Sequence, residues 1–227
     1  MREIKCLSKE ESDKKTAAII VQSILNLSKT KSHFVLGICG GRSVSGVFAI
    51  LKKSLLPWKK IHIFMVDERL VPITDPESNF KLAKDIFLGE LVKRGELPLA
   101  NLHPFKVEKG IEAYQKELEK VGEIFDLVLL SSGEDGHVAG LFPNRSVKNN
   151  DLFFITMNDA PKLPQQRMSA SRTLLEKSQV GIVLFYGEAK RSALQKFKDK
   201  NTTVMECPAK VVLKMFDSYA ITDLSFV

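Results

Sequence analysis

Apolar residues fall along this chain in two alternating rhythms. Short, almost continuous runs at Phe34–Cys39, Ile61–Val66, Phe125–Leu130 and Val180–Tyr186 read as strands, because a strand buried on both faces has no polar side to show. Between them, apolar positions recur at helical spacing. Ala17, Ile20, Val21, Ile24 and Leu27 follow a capping box of Ser8 and Glu11. Val44, Val47, Phe48 and Leu51 form a second set, Ile111, Tyr114, Leu118 and Val121 a third, and Leu194 with Phe197 a fourth. Ser78 is placed to cap a helix starting near Phe80, and Leu88–Asn101, broken by Gly89, Gly95 and Pro98, reads as a helix end and connection. Leu152–Thr156 is expected to be a strand, Cys207-Pro208-Ala209 to open a last helix, and Phe216–Ile221 to close the sheet. The alternation predicts one α/β domain over residues 1–227, with a mainly parallel sheet flanked by helices.

Polarity returns abruptly at the carboxyl ends of these runs, where open parallel sheets gather ligands. Phe34–Cys39 ends in Gly40-Gly41, then Arg42 and Ser43. Such a turn exposes backbone N–H groups to an anion, and Arg42 or Ser43 adds side-chain donors. A tight turn without any ligand explains the glycines equally well. The nucleotide patterns G-x-x-x-x-G-K and G-x-G-x-x-G are missing, so neither a nucleoside triphosphate nor NAD is supported. Ile61–Val66 runs into Asp67-Glu68-Arg69, and an arginine fork there suits a phosphate or carboxylate. Phe125–Leu130 breaks into Gly133, Asp135, Gly136 and His137; an isolated histidine in a loop is by itself an ordinary surface turn. Pro161 and Pro164 stiffen the loop carrying Lys162 and Arg167, which alone read as solvated bases. Lys190 follows Gly187 at the start of a helix, where it either meets a ligand shared by several strand ends or is simply exposed.

Composition narrows the class. With 227 residues and 44% hydrophobic content the chain can bury a sizeable core. The formal charge of +7 is spread over scattered lysines with no basic run interleaved with aromatics, so no nucleic-acid partner is expected. The positive field still favours a phosphorylated or otherwise anionic small substrate. Three cysteines without C-x-x-C spacing encode neither a disulfide framework nor a zinc site and fit a reducing compartment. Charges at Glu3, Lys5, Lys9, Glu10 and Glu11 leave no apolar core for a signal peptide, and no run approaches the roughly 20 residues that span a bilayer. A cytoplasmic protein with no membrane partner is expected.

Four separated blocks then match one pattern, and over roughly residues 34 to 215 the chain resembles the 6-phosphogluconolactonase family. The blocks are Gly40-Gly41; Val66-Asp67-Glu68-Arg69 with Ser78-Asn79; Gly133-Glu134-Asp135-Gly136-His137-Val138-Ala139-Gly140-Leu141-Phe142-Pro143; and Pro161-Lys162-Leu163-Pro164-Gln165-Gln166-Arg167. The chain departs from the family pattern where G-G-S-T-P becomes Gly40-Gly41-Arg42-Ser43-Val44, where L-G-x-G becomes Leu130-Ser131-Ser132-Gly133, where A-S-L-F-P becomes Ala139-Gly140-Leu141-Phe142-Pro143, and after Arg167, at Met168-Ser169-Ala170.

The resemblance implies a Rossmann-like three-layer fold of the sugar-phosphate isomerase and lactonase type. It also implies opening of 6-phosphoglucono-1,5-lactone by water, with no metal or organic cofactor. Carried onto this sequence, His137 is the base that activates water, and Asp135 orients it or stabilises the imidazolium that forms. Gly40, Gly41, Ser43, Arg69 and Lys190 anchor the phosphate, with Arg42, Lys162 and Arg167 as further candidates. Asp67 holds a sugar hydroxyl or Arg69. No G-x-S-x-G elbow and no cysteine beside the histidine supplies a nucleophile. A monomer with a small phosphorylated sugar lactone as its partner is expected. The rival within the same fold is glucosamine-6-phosphate deaminase, which tends to carry Tyr where Arg69 stands and F-N-E near Leu141-Phe142-Pro143. A non-catalytic sugar-phosphate binder is the remaining alternative.

Overall fold

The computed structural model describes residues 1–224. In chain order its elements are β1 (Arg2–Lys5), α1 (Lys9–Leu27), β2 (Phe34–Ile38), α2 (Ser45–Leu51), β3 (Ile61–Met65), β4 (Asp67–Arg69), α3 (Asn79–Ala83), α4 (Gly89–Lys93), β5 (Leu102–His103), α5 (Gly110–Glu119), β6 (Leu127–Ser131), β7 (Phe154–Met157), β8 (Arg167–Ala170), α6 (Arg172–Glu176), β9 (Val180–Phe185), α7 (Arg191–Lys198) and β10 (Asp217–Thr222). A π-helical turn, Lys84–Leu88, joins α3 to α4. Seven strands form a sheet in the order β1-β10-β9-β6-β2-β3-β5, with every neighbouring pair parallel. Strands β2, β3 and β9 are buried at every position, which is why their sequences read as almost unbroken apolar runs, with His62 of β3 as the polar exception. Among the described residues no helix is long and apolar enough to cross a membrane.

The strand order places the site. From β2 the chain moves outward through β3 to β5, and from β6 it moves the other way through β9 and β10. The order therefore reverses between β2 and β6, and a crevice opens beyond the carboxyl ends of such a pair. Gly40 follows β2 and Gly133 follows β6, so both glycine turns border it. The local signals hold here: the Ser8 hydroxyl accepts from the Glu11 N–H, Glu11 Oε2 accepts from the Leu7 N–H, and Ser78 caps α3 at the Lys81 N–H.

Three expectations need correction, one strand is placed more finely, and one strand went unanticipated. Asp67–Arg69 is not a polar strand end but a strand, since β3 leaves the large sheet after Val66 and continues as β4 in a second, antiparallel sheet ordered β4-β8-β7. Arg167 lies on β8 rather than on a proline-stiffened loop; Lys162 remains on the loop. The strand expected at Leu152–Thr156 is present as β7, shifted to Phe154–Met157, and its place is in this small sheet. The run opened by Cys207-Pro208 is a 3-10 helix, Pro208–Lys214, rather than an α-helix. Finally, β1 was not anticipated: Arg-Glu-Ile-Lys is mostly exposed at the sheet edge and carries no apolar pattern.

Candidate active site

At the end of β6 the chain turns through Gly133 and returns to form His137. The Gly133 N–H donates to the His137 carbonyl at 2.7 Å, closing a tight loop. A side chain at Gly133 would fall 2.0 Å from His137 Nδ1, so only glycine lets the imidazole lie on this backbone. His137 Nδ1 is 2.5 Å from Asp135 Oδ1, and the same carboxylate oxygen accepts the His137 N–H at 3.2 Å. Burial pushes the Asp135 pKa upward, but the hydrogen bonds and charge of His137 outweigh it and hold the carboxyl at about 2. With Nδ1 occupied by the carboxylate, Nε2 is left to meet a ligand.

Beyond β3, Glu68 and Asn79 organise the second wall. Glu68, 1% exposed, accepts the N–H groups of Arg69, Asn79 and Phe80 and the Ser78 hydroxyl, which ties β4 to the start of α3. Asn79 donates to the Asp67 carboxylate and carbonyl, both at 3.0 Å, while its own amide oxygen packs against Gly40, where an added side chain would fall 1.9 Å away. Asp67 is consequently fixed with one oxygen, Oδ1, buried and without a protein partner. Burial raises its pKa, and the charges of Arg69, Arg167 and His137 oppose that rise.

The two arginines differ in attachment. Arg69 donates from Nη1 to the Glu77 carbonyl at 2.6 Å, and its buried Nε has no partner. Arg167 donates from Nε to the Pro164 carbonyl and from Nη2 to the carbonyls of Lys162 and Leu163, and its guanidinium lies 5.7 Å from the Phe142 ring centre. Opposite them, the N–H groups of Gly41, Arg42 and Ser43 have no protein acceptor among the described residues. Gly41 sits at φ +96°, which only glycine tolerates easily. Free N–H groups in such a turn form a concave anion site.

All of these meet in one cavity of about 640 Å³. Gly40, Gly41, Arg42, Ser43, Asp67, Arg69, His137, Lys162, Arg167 and Lys190 line it; Asp135 stands behind His137 rather than in the wall. Six basic side chains against three acidic ones face the space, so it favours an anion. Burial first, with Lys162 and Arg42 nearby, lowers the Lys190 pKa against the pull of Glu134 and Asp135. Among the described residues no group of three or more His, Cys, Asp or Glu is placed to hold a metal ion. Sequence reasoning missed Lys9, Tyr186 and Asp223, which also line the cavity. Lys9 read as part of an ordinary charged terminus, and Asp223 follows a strand whose end carried no motif. The structural work of Glu68 and Asn79 was missed as well, although both belong to the matched blocks.

A model of the family described as glucosamine-6-phosphate isomerases/6-phosphogluconolactonase matches residues 7–220. The chain belongs to this family. It is 32% identical over 206 residues to the 6-phosphogluconolactonase of Borreliella burgdorferi, an alignment covering 88% of this chain and 87% of that protein. It is 31% identical over 173 residues to a 6-phosphogluconolactonase of Thermotoga maritima, covering 74% and 76% respectively. A crystal structure of 6-phosphogluconolactonase from Thermotoga maritima shares the fold at a TM-score of 0.83 and 24% identity, over 97% of this chain and 99% of that one.

Departures from the family pattern have local explanations. Ser131 occupies a usual glycine position as the last residue of β6, paired in register with Leu184, where regular strand backbone accepts a side chain. Gly140 stands in place of a serine. Its N–H donates to Ser169 Oγ at 2.9 Å and its carbonyl accepts from Ser146 Oγ at 2.6 Å, so two hydroxyls from elsewhere fix the backbone beside His137. Arg42 adds a cation to the cavity wall.

Proposed function

We propose that this protein hydrolyses 6-phosphoglucono-1,5-lactone to 6-phosphogluconate. The observation that carries the reading is the His137–Asp135 pair set into a cationic cavity beside a turn of free N–H groups. Family membership and curated 6-phosphogluconolactonases at about 30% identity support it. The Gly41–Ser43 N–H groups, the Ser43 hydroxyl, Arg69 and Lys190 take the phosphate, with Arg42, Lys162 and Arg167 adding positive charge. Asp67 Oδ1 accepts a sugar hydroxyl. Remote binding of the phosphate then orients the lactone carbonyl against a water held by His137.

In the chemical step His137 Nε2 removes a proton from water as its oxygen bonds to the lactone carbonyl carbon. Asp135 holds the ring and balances the imidazolium that forms. The tetrahedral intermediate collapses with cleavage of the bond to the ring oxygen, and His137 returns the proton to that alkoxide. The protein is proposed to act as a monomer.

The test is lactone opening measured against spontaneous hydrolysis under identical conditions. A rate no greater than the background would refute the proposal and leave a sugar-phosphate binder. Glucosamine-6-phosphate is assayed in parallel, and ammonia release without lactone opening would assign the deaminase activity instead. Arg69 and Leu141-Phe142-Pro143 argue for the lactone.

A further inference from the structure

We infer that Lys9, aimed by Asp13, is an additional phosphate-binding residue that raises the preference for phosphorylated over unphosphorylated lactones; the inference rests on the reading of the cavity as a sugar-phosphate site. Lys9 is the first residue of α1 and lines the cavity together with Gly41, Arg42, Ser43 and Lys190. Its ammonium donates to Asp13 Oδ2 at 2.6 Å and lies 5.5 Å from the centre of the Tyr186 ring. That ring is itself fixed, since the Tyr186 hydroxyl bonds the Thr16 hydroxyl at 3.0 Å and Thr16 donates to the Ser12 carbonyl at 2.7 Å.

The pair is unlike an ordinary helix-surface ion pair. Lys14 and Glu10 on the same helix form one of those, with side chains 66% and 77% exposed. The Asp13 side chain is only 8% exposed. It is lodged against Gly46 of α2, where any added side chain would fall 1.9 Å from Oδ2. Gly46 lies one helical turn beyond Ser43, so the carboxylate that grips Lys9 is seated on the segment that presents the free N–H groups. Asp13 Oδ1 is also buried and has no partner. Burying a carboxylate with one oxygen unsatisfied is costly, and solubility alone does not require it. The arrangement does steer a lysine. An ammonium has three donors and Asp13 takes one, which leaves donors for a phosphate oxygen arriving in the cavity.

Lys9→Gln and Lys9→Arg are compared with the unaltered protein on 6-phosphoglucono-1,5-lactone and on glucono-1,5-lactone, with 6-phosphogluconate as inhibitor. In K9Q the ratio of kcat/KM for the phosphorylated over the plain lactone falls about tenfold, and inhibition by 6-phosphogluconate weakens by about the same factor, as loss of one charge-assisted contact dictates. K9R retains both within about threefold, because the cation is kept. An unchanged ratio and inhibition constant in K9Q overturn the inference, as does an equal loss on both lactones, which marks a purely structural lysine. If the unaltered protein fails to exceed spontaneous hydrolysis, the lactonase reading falls on its own. The Lys9 assignment is then decided by calorimetric affinity for 6-phosphogluconate, where equal binding by K9Q and the unaltered protein overturns it.

Discussion

Arg69 and Arg167 stand directly opposite each other where β4 pairs with β8. Like charges in that position repel unless negative charge lies between or beside them. The protein supplies only part of it. Burial and Arg69 together lower the Arg167 pKa, and Asp67 and Glu77 work in the other direction. Under the proposed function the remaining counter-charge comes from the anionic substrate, with the small antiparallel sheet forming half of its well.

Shared register does not give the two arginines the same task. Arg167 ties down three carbonyls of the 162–164 loop, whereas Arg69 bonds Glu77 and keeps a buried Nε unpaired. Arg69→Met is therefore expected to raise KM for the lactone by about 10- to 100-fold while the thermal midpoint stays level or rises as repulsion is relieved. Arg167→Met is expected to lose about 1–2 kcal/mol of stability, because it removes the hydrogen bonds that hold the 162–164 loop against β8. Steady-state kinetics and thermal unfolding on both variants separate the roles, and identical profiles would contradict the division.

Asp135 is the cleaner probe of the histidine. Its folded pKa of about 2 lies below the ordinary aspartate value, so the carboxylate contributes stability above about pH 4 that is lost as pH falls through 2. Throughout the neutral range it stays ionised and keeps the ring proton on Nδ1. His137→Ala is expected to lower kcat by about 100- to 10,000-fold, and Asp135→Asn by about 10- to 100-fold with little change in KM. Initial rates corrected for spontaneous hydrolysis decide it; a full-speed H137A enzyme would remove the histidine from the mechanism.

Much of this arrangement was legible in sequence, for a physical reason. Parallel strands buried on both faces leave almost unbroken apolar runs, and β2, β3, β6 and β9 were found by that mark. Glycine turns after β2 and β6 marked the crevice because close backbone approach excludes side chains, as Gly40 against Asn79 and Gly133 against His137 show. The small sheet was not legible. Strands of three and four residues such as β4 and β8 are too short for a period, and their pairing joins segments far apart in the chain. Lys9 escaped notice because its value depends on Asp13 being buried against Gly46, a tertiary fact without a local pattern.

The glycine that supports His137 gives a prediction with little ambiguity. A methyl group at position 133 would fall 2.0 Å from His137 Nδ1 and 2.7 Å from Asp135 Oδ1, so Gly133→Ala must displace the ring or the carboxylate. The backbone bond from Gly133 N–H to the His137 carbonyl can persist, and the fold with it. Activity is expected to fall by about 100-fold or more, with binding of 6-phosphogluconate reduced much less. Calorimetry beside the rate assay tests this, and parallel losses in both would show that the substitution damages the whole cavity.

Acid stability should be governed at the other end of the sheet. His62 at the start of β3 holds its Nδ1 3.0 Å from His103 Nε2, and His103 Nδ1 is 3.0 Å from Glu117 Oε2. Burial, followed by the nearby His103 and His33, pushes the His62 pKa down to about 4; burial also lowers that of His103, against the pull of Glu117. A base with a depressed folded pKa is protonated first in the unfolded chain. As pH falls from about 6.5 to 4 the unfolded state takes up a proton that the folded state refuses, so stability drops by up to about 3 kcal/mol over that window and levels off below it. The expected result is a thermal midpoint that declines between pH 7 and pH 4 in the unaltered protein and declines less steeply in His62→Gln, which cannot take up that proton. Equal slopes for the two proteins would transfer the acid sensitivity to other groups.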